Sequence, residues 1–185
     1  MKQIPAFRFE RDALQALAER YSAEFQSNQP FPHVVIPNFL PDDLERSLAG
    51  EFPAPADIRW KLEGPGDAKH THDPNVEKIG CSDETQFPPL IRHMMHEFNS
   101  GVFLAFVQQL TGFQNLVPDP VFRGCGLHST GRGGRLMVHA DASRHPNPKF
   151  DQILNMIYYV TPGWRSEWGG QLELWNQDML ACENR

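Results

Sequence analysis

Gly134-Arg-Leu-Met-Val-His-Ala-Asp141 is the stretch on which the fold and the chemistry of this chain turn. Side chains of an extended segment alternate between two faces. Met137, His139 and Asp141 therefore share one face, and Leu136 and Val138 share the other. An imidazole and a carboxylate on one face provide two of the three ligands of a 2-His-1-carboxylate triad, which leaves open positions on a non-haem Fe(II). Three residues alone are a weak signal; their surroundings add weight. The glycine-rich turn Gly131-Arg-Gly-Gly134 precedes the run, and the polar loop Ser143-Arg-His-Pro-Asn-Pro148 follows it. Two ligands at a strand end, opening onto a loop, suit a site that small molecules must reach. The second His of the triad is expected from a later strand, yet none of the ten residues after Trp175 is a His.

Working outward, strand-like runs occur at 121–129, 135–139, 153–160 and 171–175, separated by Gly, Pro and Asn turns. Before Pro120 the texture is helical. Leu14, Leu17, Ala18, Tyr21 and Phe25 recur at three- and four-residue steps, which predicts an amphipathic helix from Arg11 to about Phe25. Phe31-Pro-His-Val-Val-Ile36 predicts a short strand from its β-branched residues. Pro41-Asp-Asp-Leu-Glu45 opens a helix, with Pro in the first turn and acids at the positive end of the dipole. Residues 53–88 predict loops around one short strand near Ile58–Leu62, and two helices follow at Leu90–Phe98 and Val102–Leu110. Helices first and strands after give an α+β class.

The 185 residues fit one domain with a real core. A formal charge of −6 and the lack of a basic run exclude a nucleic-acid footprint. The apolar stretches are far too short for a membrane span, and the early charges of the N-terminus do not suit a signal peptide. Three widely spaced cysteines, Cys81, Cys125 and Cys182, suggest reduced thiols rather than a disulfide framework. A cytoplasmic location is the expectation.

Several segments resemble a known family. Phe31-Pro-His-Val-Val-Ile-Pro-Asn-Phe-Leu40 resembles the N-terminal segment of Fe(II)/2-oxoglutarate oxygenases of the prolyl 4-hydroxylase-like group. Leu110-Thr-Gly-Phe-Gln-Asn-Leu-Val-Pro-Asp-Pro120 and Gly124-Cys-Gly-Leu-His128 resemble the approach to its barrel. Leu136-Met-Val-His-Ala-Asp141 is similar to its metal strand. Ile153-Leu-Asn-Met-Ile-Tyr-Tyr159 and Trp168-Gly-Gly-Gln-Leu-Glu-Leu-Trp175 resemble its next two strands. The resemblance runs from about Phe31 to Trp175 in the family's order.

The resemblance implies N-terminal helices packed on a double-stranded β-helix, a jelly-roll or cupin-like core of about eight strands. Residues 1–120 would be the helical support and 121–176 the jelly-roll strands of a single domain spanning 1–185. That domain would lack its C-terminal strands, with the distal His and the Arg or Lys that binds 2-oxoglutarate beyond Arg185. It further implies Fe(II) and 2-oxoglutarate as cofactors, with ascorbate as an optional reductant. The reaction implied is hydroxylation of an unactivated C–H bond, coupled to decarboxylation of 2-oxoglutarate to succinate. Asp141 favours hydroxylation over halogenation, which needs a Gly or Ala there.

Other residues carry alternatives. Asn155 and Tyr159 share one face of their run and would donate hydrogen bonds to 2-oxoglutarate if that face is the barrel interior; the resemblance makes Asn155 the better candidate, and a packed polar residue with a backbone partner is the equal alternative. Arg135 and Arg132 could receive an anionic substrate, or be solvated loop cations. His128 and His145 could approach the metal, or be edge and loop imidazoles. His70-Thr-His-Asp73 is a second possible metal cluster against a solvated turn. His93 and His96 could chelate a metal across one helical turn, against a simple helix face. Trp164, Trp168 and Trp175 are expected in core or rim packing, and Glu173 has no role. A small-molecule or peptidyl substrate is expected, prolyl first by analogy, with no nucleic-acid or membrane partner. Oligomerisation through an open strand edge near Gln171–Trp175 is a further expectation. The competing classes are a non-catalytic scaffold that binds a partner, and a cupin-like metal protein that does not use 2-oxoglutarate.

Overall fold

A computed structural model describes residues 6–62, 78–119, 122, 125–131, 138–139, 150–178 and 180–184. Four helices, α1 (Arg11–Ser27), α2 (Asp42–Glu51), α3 (Pro89–Phe98) and α4 (Gly101–Thr111), accompany five short strands. These are β1 (Lys61–Leu62), β2 (Lys78–Cys81), β3 (Leu127–Thr130), β4 (Leu174–Trp175) and β5 (Cys182–Asn184). The mixture is α+β, as expected. The described strands form a three-stranded sheet, β1-β2-β3, and a two-stranded sheet, β4-β5, both antiparallel. No helix among the described residues is long and apolar enough to cross a membrane.

The chain divides into two compact units: Met1–Gly50 with Pro89–Pro120 and Leu172–Arg185, and Glu51–Pro88 with Val121–Gln171. In the first, α1 lies along α4. Leu14, Ala18, Tyr21 and Phe25 bury one stripe of α1 at helical spacing, against the nearly all-apolar α4 with Phe103, Phe106, Val107 and Leu110 buried. Ser100 starts α4 as its N-cap, its Oγ accepting the Phe103 N–H at 3.2 Å. Gly112 ends it in the left-handed region at φ 79°, where a side chain would be strained. Gln26 Nε2 donates to the Thr111 carbonyl at 2.6 Å and ties the two helix ends together.

Beside them, Phe9, Phe39, Phe98, Phe103 and Phe106 form a ring cluster with centroids 5.1–6.4 Å apart. Phe9 is drawn into it by Glu97. This carboxylate is only 4% exposed, and it accepts the backbone N–H groups of Arg8 at 2.7 Å and Phe9 at 3.1 Å. Hydrogen bonds to a charged group contribute about 1.5–3 kcal/mol each.

In the second unit, β2 is the central strand, pairing Gly80 with Lys61 on one side and with His128 on the other. Asp83 anchors its exit. The carboxylate accepts from Thr85 Oγ1 at 2.6 Å, from Gln86 Nε2 at 2.8 Å and from the Thr85 N–H at 3.1 Å. These bonds, with Arg59 nearby, hold its pKa below the ordinary carboxylate value. Gln86 in turn accepts the Arg59 N–H at 2.9 Å, which fixes the approach to β1.

Three strand expectations are corrected. Phe31–Ile36 forms no strand. Its carbonyls are taken locally: Asn28 Nδ2 donates to the His33 carbonyl at 3.0 Å, and the His33 ring lies 2.8 Å from the Phe31 carbonyl. Such local bonds compete with a ladder. Residues 153–160 hold no strand either, and the run at 171–175 shrinks to Leu174–Trp175. Its partner β5 and the central strand β2 are strands that the residue pattern did not predict. Of 135–139, only Val138 and His139 are described, and neither is in a strand.

Gly126, at the foot of β3, shows how closely β2 and β3 are drawn together. A Cβ there would run into the Cys81 carbonyl oxygen and lie 3.2 Å from the Ser82 Cα. Backbone atoms cannot swing aside as a side-chain tip can. Gly126→Ala should therefore destabilise the protein by about 1–3 kcal/mol, read from its urea midpoint. An unchanged midpoint would contradict this packing.

Candidate metal centre

Opposed residues of an antiparallel pair share a face. Cys81 and Leu127 are such a pair, and both are buried. His128, opposite Gly80, is on the other face of β3 and is exposed. His139 is exposed as well, beside Val138 at 40% exposure. Asp141, Arg135, Arg132 and His145 lie outside the described residues, as do His70, His72 and Asp73. Among the described residues, no three His, Cys, Asp or Glu side chains gather as a metal site. In chemical type, the His139 imidazole and Asp141 carboxylate fit a ferrous ion, and the exposure of His139 leaves it accessible to one.

From 152 to 160 exposure alternates, as a strand's would, except at Met156. Leu154, Tyr158 and Val160 are half-buried, whereas Ile153, Asn155, Ile157 and Tyr159 are exposed. Asn155 and Tyr159 thus share the more open side. Asn155 Oδ1 accepts from Gln152 Nε2 at 2.6 Å. Tyr159 is 56% exposed, and the burial of the rest of it pushes its phenol above the ordinary 10.0.

The tryptophans depart from the expected packing. Trp164 and Trp168 are 46% and 60% exposed. The Trp164 indole N–H closes its own loop, donating to the Gly169 carbonyl at 2.9 Å. The Arg165–Glu167 pair in that loop, at 3.6 Å, is itself exposed and worth little. Trp175 is half-buried and donates through its indole to Glu173 Oε2 at 3.1 Å, which gives Glu173 a partner on the same strand face.

The helical His pair also has a neighbour that His spacing does not reveal. His93 Nε2 lies 3.0 Å from Glu97 Oε1, one turn along α3, without the alignment of a hydrogen bond. The Glu97 oxygens are already committed to the Arg8 and Phe9 amides. Glu97 serves the fold here. Its signal was present in the sequence, for Ile91, Met94 and Glu97 share one stripe at three-residue spacing, and all three are buried.

Residues 125–185 match the family model of the 2OG-Fe(II) oxygenase superfamily. No curated protein and no solved structure matches the chain. The matched segment holds β3, His139 and Asp141, Asn155 and Tyr159, and the β4-β5 hairpin. The likeness covers about a third of the chain and is to a superfamily named for its use of Fe(II) and 2-oxoglutarate. The match does not reach the segments at 31–40 and 110–120.

The Tyr159 environment has a readable consequence. Because burial favours the neutral phenol, the stability that Tyr159 contributes is full below pH 10.0 and is lost as pH rises through its raised folded value. Ultraviolet titration should find a phenol ionising later than free tyrosine, absent in Tyr159→Phe. A variant with the same late-titrating phenol would contradict this assignment.

Proposed function

We propose that the chain carries an Fe(II)- and 2-oxoglutarate-dependent dioxygenase domain of the prolyl 4-hydroxylase-like group. It hydroxylates an unactivated C–H bond of a small-molecule or peptidyl substrate, a prolyl residue being the first candidate. The observation that carries the proposal is the superfamily match over 125–185, because that one segment contains both metal donors and both candidate co-substrate residues. When bound, a ferrous ion supplies open coordination positions and the redox chemistry that couples 2-oxoglutarate decarboxylation to hydroxylation.

The chain's own residues bind and orient. His139 offers a ring nitrogen and Asp141 a carboxylate oxygen to the ion. Asn155, on the same side of its run as Tyr159, offers an amide N–H to a 2-oxoglutarate oxygen. Tyr159 is a neutral O–H donor in the physiological range, as any phenol is, and burial pushes its ionisation further upward. Arg135 attracts an anionic part of the substrate. Together His139 and Asp141 supply two ligands of a 2-His-1-carboxylate triad. The proposal includes the jelly-roll core, a cytoplasmic location, no nucleic-acid or membrane partner, and self-association through the strand edge near Gln171–Trp175.

Anaerobic titration with Fe(II) or Mn(II), followed by 2-oxoglutarate, tests the reading. Metal-dependent binding of 2-oxoglutarate is the expected result. Asn155→Ala should weaken that second step by about tenfold or more while metal affinity is kept, as loss of a bond to a charged oxygen requires. Metal binding without 2-oxoglutarate binding would overturn the proposal in favour of a cupin-like metal protein. Binding of neither would favour a scaffold.

A further inference from the structure

Residues 6–10 enter the helical unit without regular secondary structure, and Phe9 alone of the five is buried. Phe7 on one side is 80% exposed. Two anchors hold the segment. The Phe9 ring sits 5.9, 5.2 and 5.1 Å from the rings of Phe39, Phe98 and Phe103. The Arg8 and Phe9 amides both end on the Glu97 carboxylate. Glu10 then begins α1, its carbonyl accepting the Leu14 N–H at 3.1 Å.

The anchors sit on adjacent residues, and the groups that receive them come from α3, α4 and Phe39. The Phe9 ring contacts and the Phe9 amide bond belong to one residue, and the Arg8 amide is the next along the chain. None of the α1–α4 packing passes through this segment: Leu14, Ala18, Tyr21 and Phe25 bury the α1 stripe, and Gln26 ties its far end to Thr111. Segments held by few buried groups open locally at lower cost than the core.

We propose that residues 6–10 are a strap that opens as one unit about Glu10 while α1, α3 and α4 remain folded. Opening bares a recess formed by Phe39, Phe98 and Phe103, with the Glu97 carboxylate at its rim. The recess recognises the chemistry that now fills it: an aromatic side chain together with two consecutive backbone N–H donors. A short extended peptide carrying an aromatic residue is the matching ligand, and the strap is that peptide held in cis. The device is independent of the iron chemistry.

Amide hydrogen exchange on the full chain tests it, with the pentapeptide Ala6-Phe-Arg-Phe-Glu10 as the probe in trans. Arg8 and Phe9 amides should exchange at a common rate, at least about tenfold faster than the slowest amides of α4. Glu97→Gln, which leaves one acceptor where two are needed, should strip protection from both amides and leave α1 and α4 unchanged. Phe9→Ala should do the same, and that variant should bind the pentapeptide; the Phe9→Ala, Glu97→Gln double variant should not. Exchange of Arg8 and Phe9 only with global unfolding would overturn the proposal, as would loss of one amide's protection without the other's. Failure of both single variants to fold would also overturn it, because the strap would then be inseparable from the fold. Equal peptide binding by the Phe9→Ala and double variants would overturn the role given to Glu97.

Discussion

The Glu97 carboxylate imposes the strictest condition on the helical unit. It sits 4% exposed on a stripe that Ile91 and Met94 otherwise make apolar, and a charge so placed is tolerable only if donors reach it. The donors come from 88 and 89 residues away, the amides of Phe9 and Arg8. Meeting that need brings the Phe9 ring against Phe98 and Phe103, so one polar requirement and one apolar gain are satisfied by the same few residues. Losing the two amides leaves the carboxylate with the His93 ring at 3.0 Å, and losing Phe9 takes one member from the ring cluster. The approach of the chain to α1 follows from this arrangement.

Much of the helical unit could be read from periodicity. The stripe of α1 and the break between α3 and α4 at Asn99-Ser-Gly101 were visible because helix spacing and Ser capping are local properties. Sheet pairing is not local. Lys78-Ile-Gly-Cys81 has no alternating pattern, yet it becomes the central strand because Lys61–Leu62 and Leu127–Thr130 flank it. Conversely, Phe31–Ile36 has β-branched residues but spends its carbonyls on Asn28 and on its own His33. Glu97 stood in plain view at the third step of an apolar stripe. The His93–His96 spacing does not reveal it, although a charge on such a stripe is the stronger anomaly.

The candidate site was legible as chemistry more than as geometry. His139 and Asp141 follow from the alternation of an extended segment, and Asn155 and Tyr159 from a shared face; all four lie within 125–185, though neither 138–139 nor 153–160 is in a strand. The indoles are a different case. Their size suggested burial, but Trp164 spends its N–H on its own loop and Trp168 is mostly exposed. Composition does not say which large ring finds a cover. Asn155 is better defined than its sequence position alone allowed, since its Oδ1 accepts from Gln152 Nε2.

The central chemical claim is that His139 and Asp141 hold one metal ion together. Mn(II) affinity, measured by electron paramagnetic resonance on the wild type, His139→Ala, Asp141→Ala and a His70→Ala, His72→Ala control, tests it most directly. Since even outer-shell partners of a metal ligand are worth about 10–100-fold in affinity, each of the first two substitutions should cost more than about a hundredfold, with the control unchanged. Wild-type affinity in both His139→Ala and Asp141→Ala, or a loss confined to the control, would contradict it.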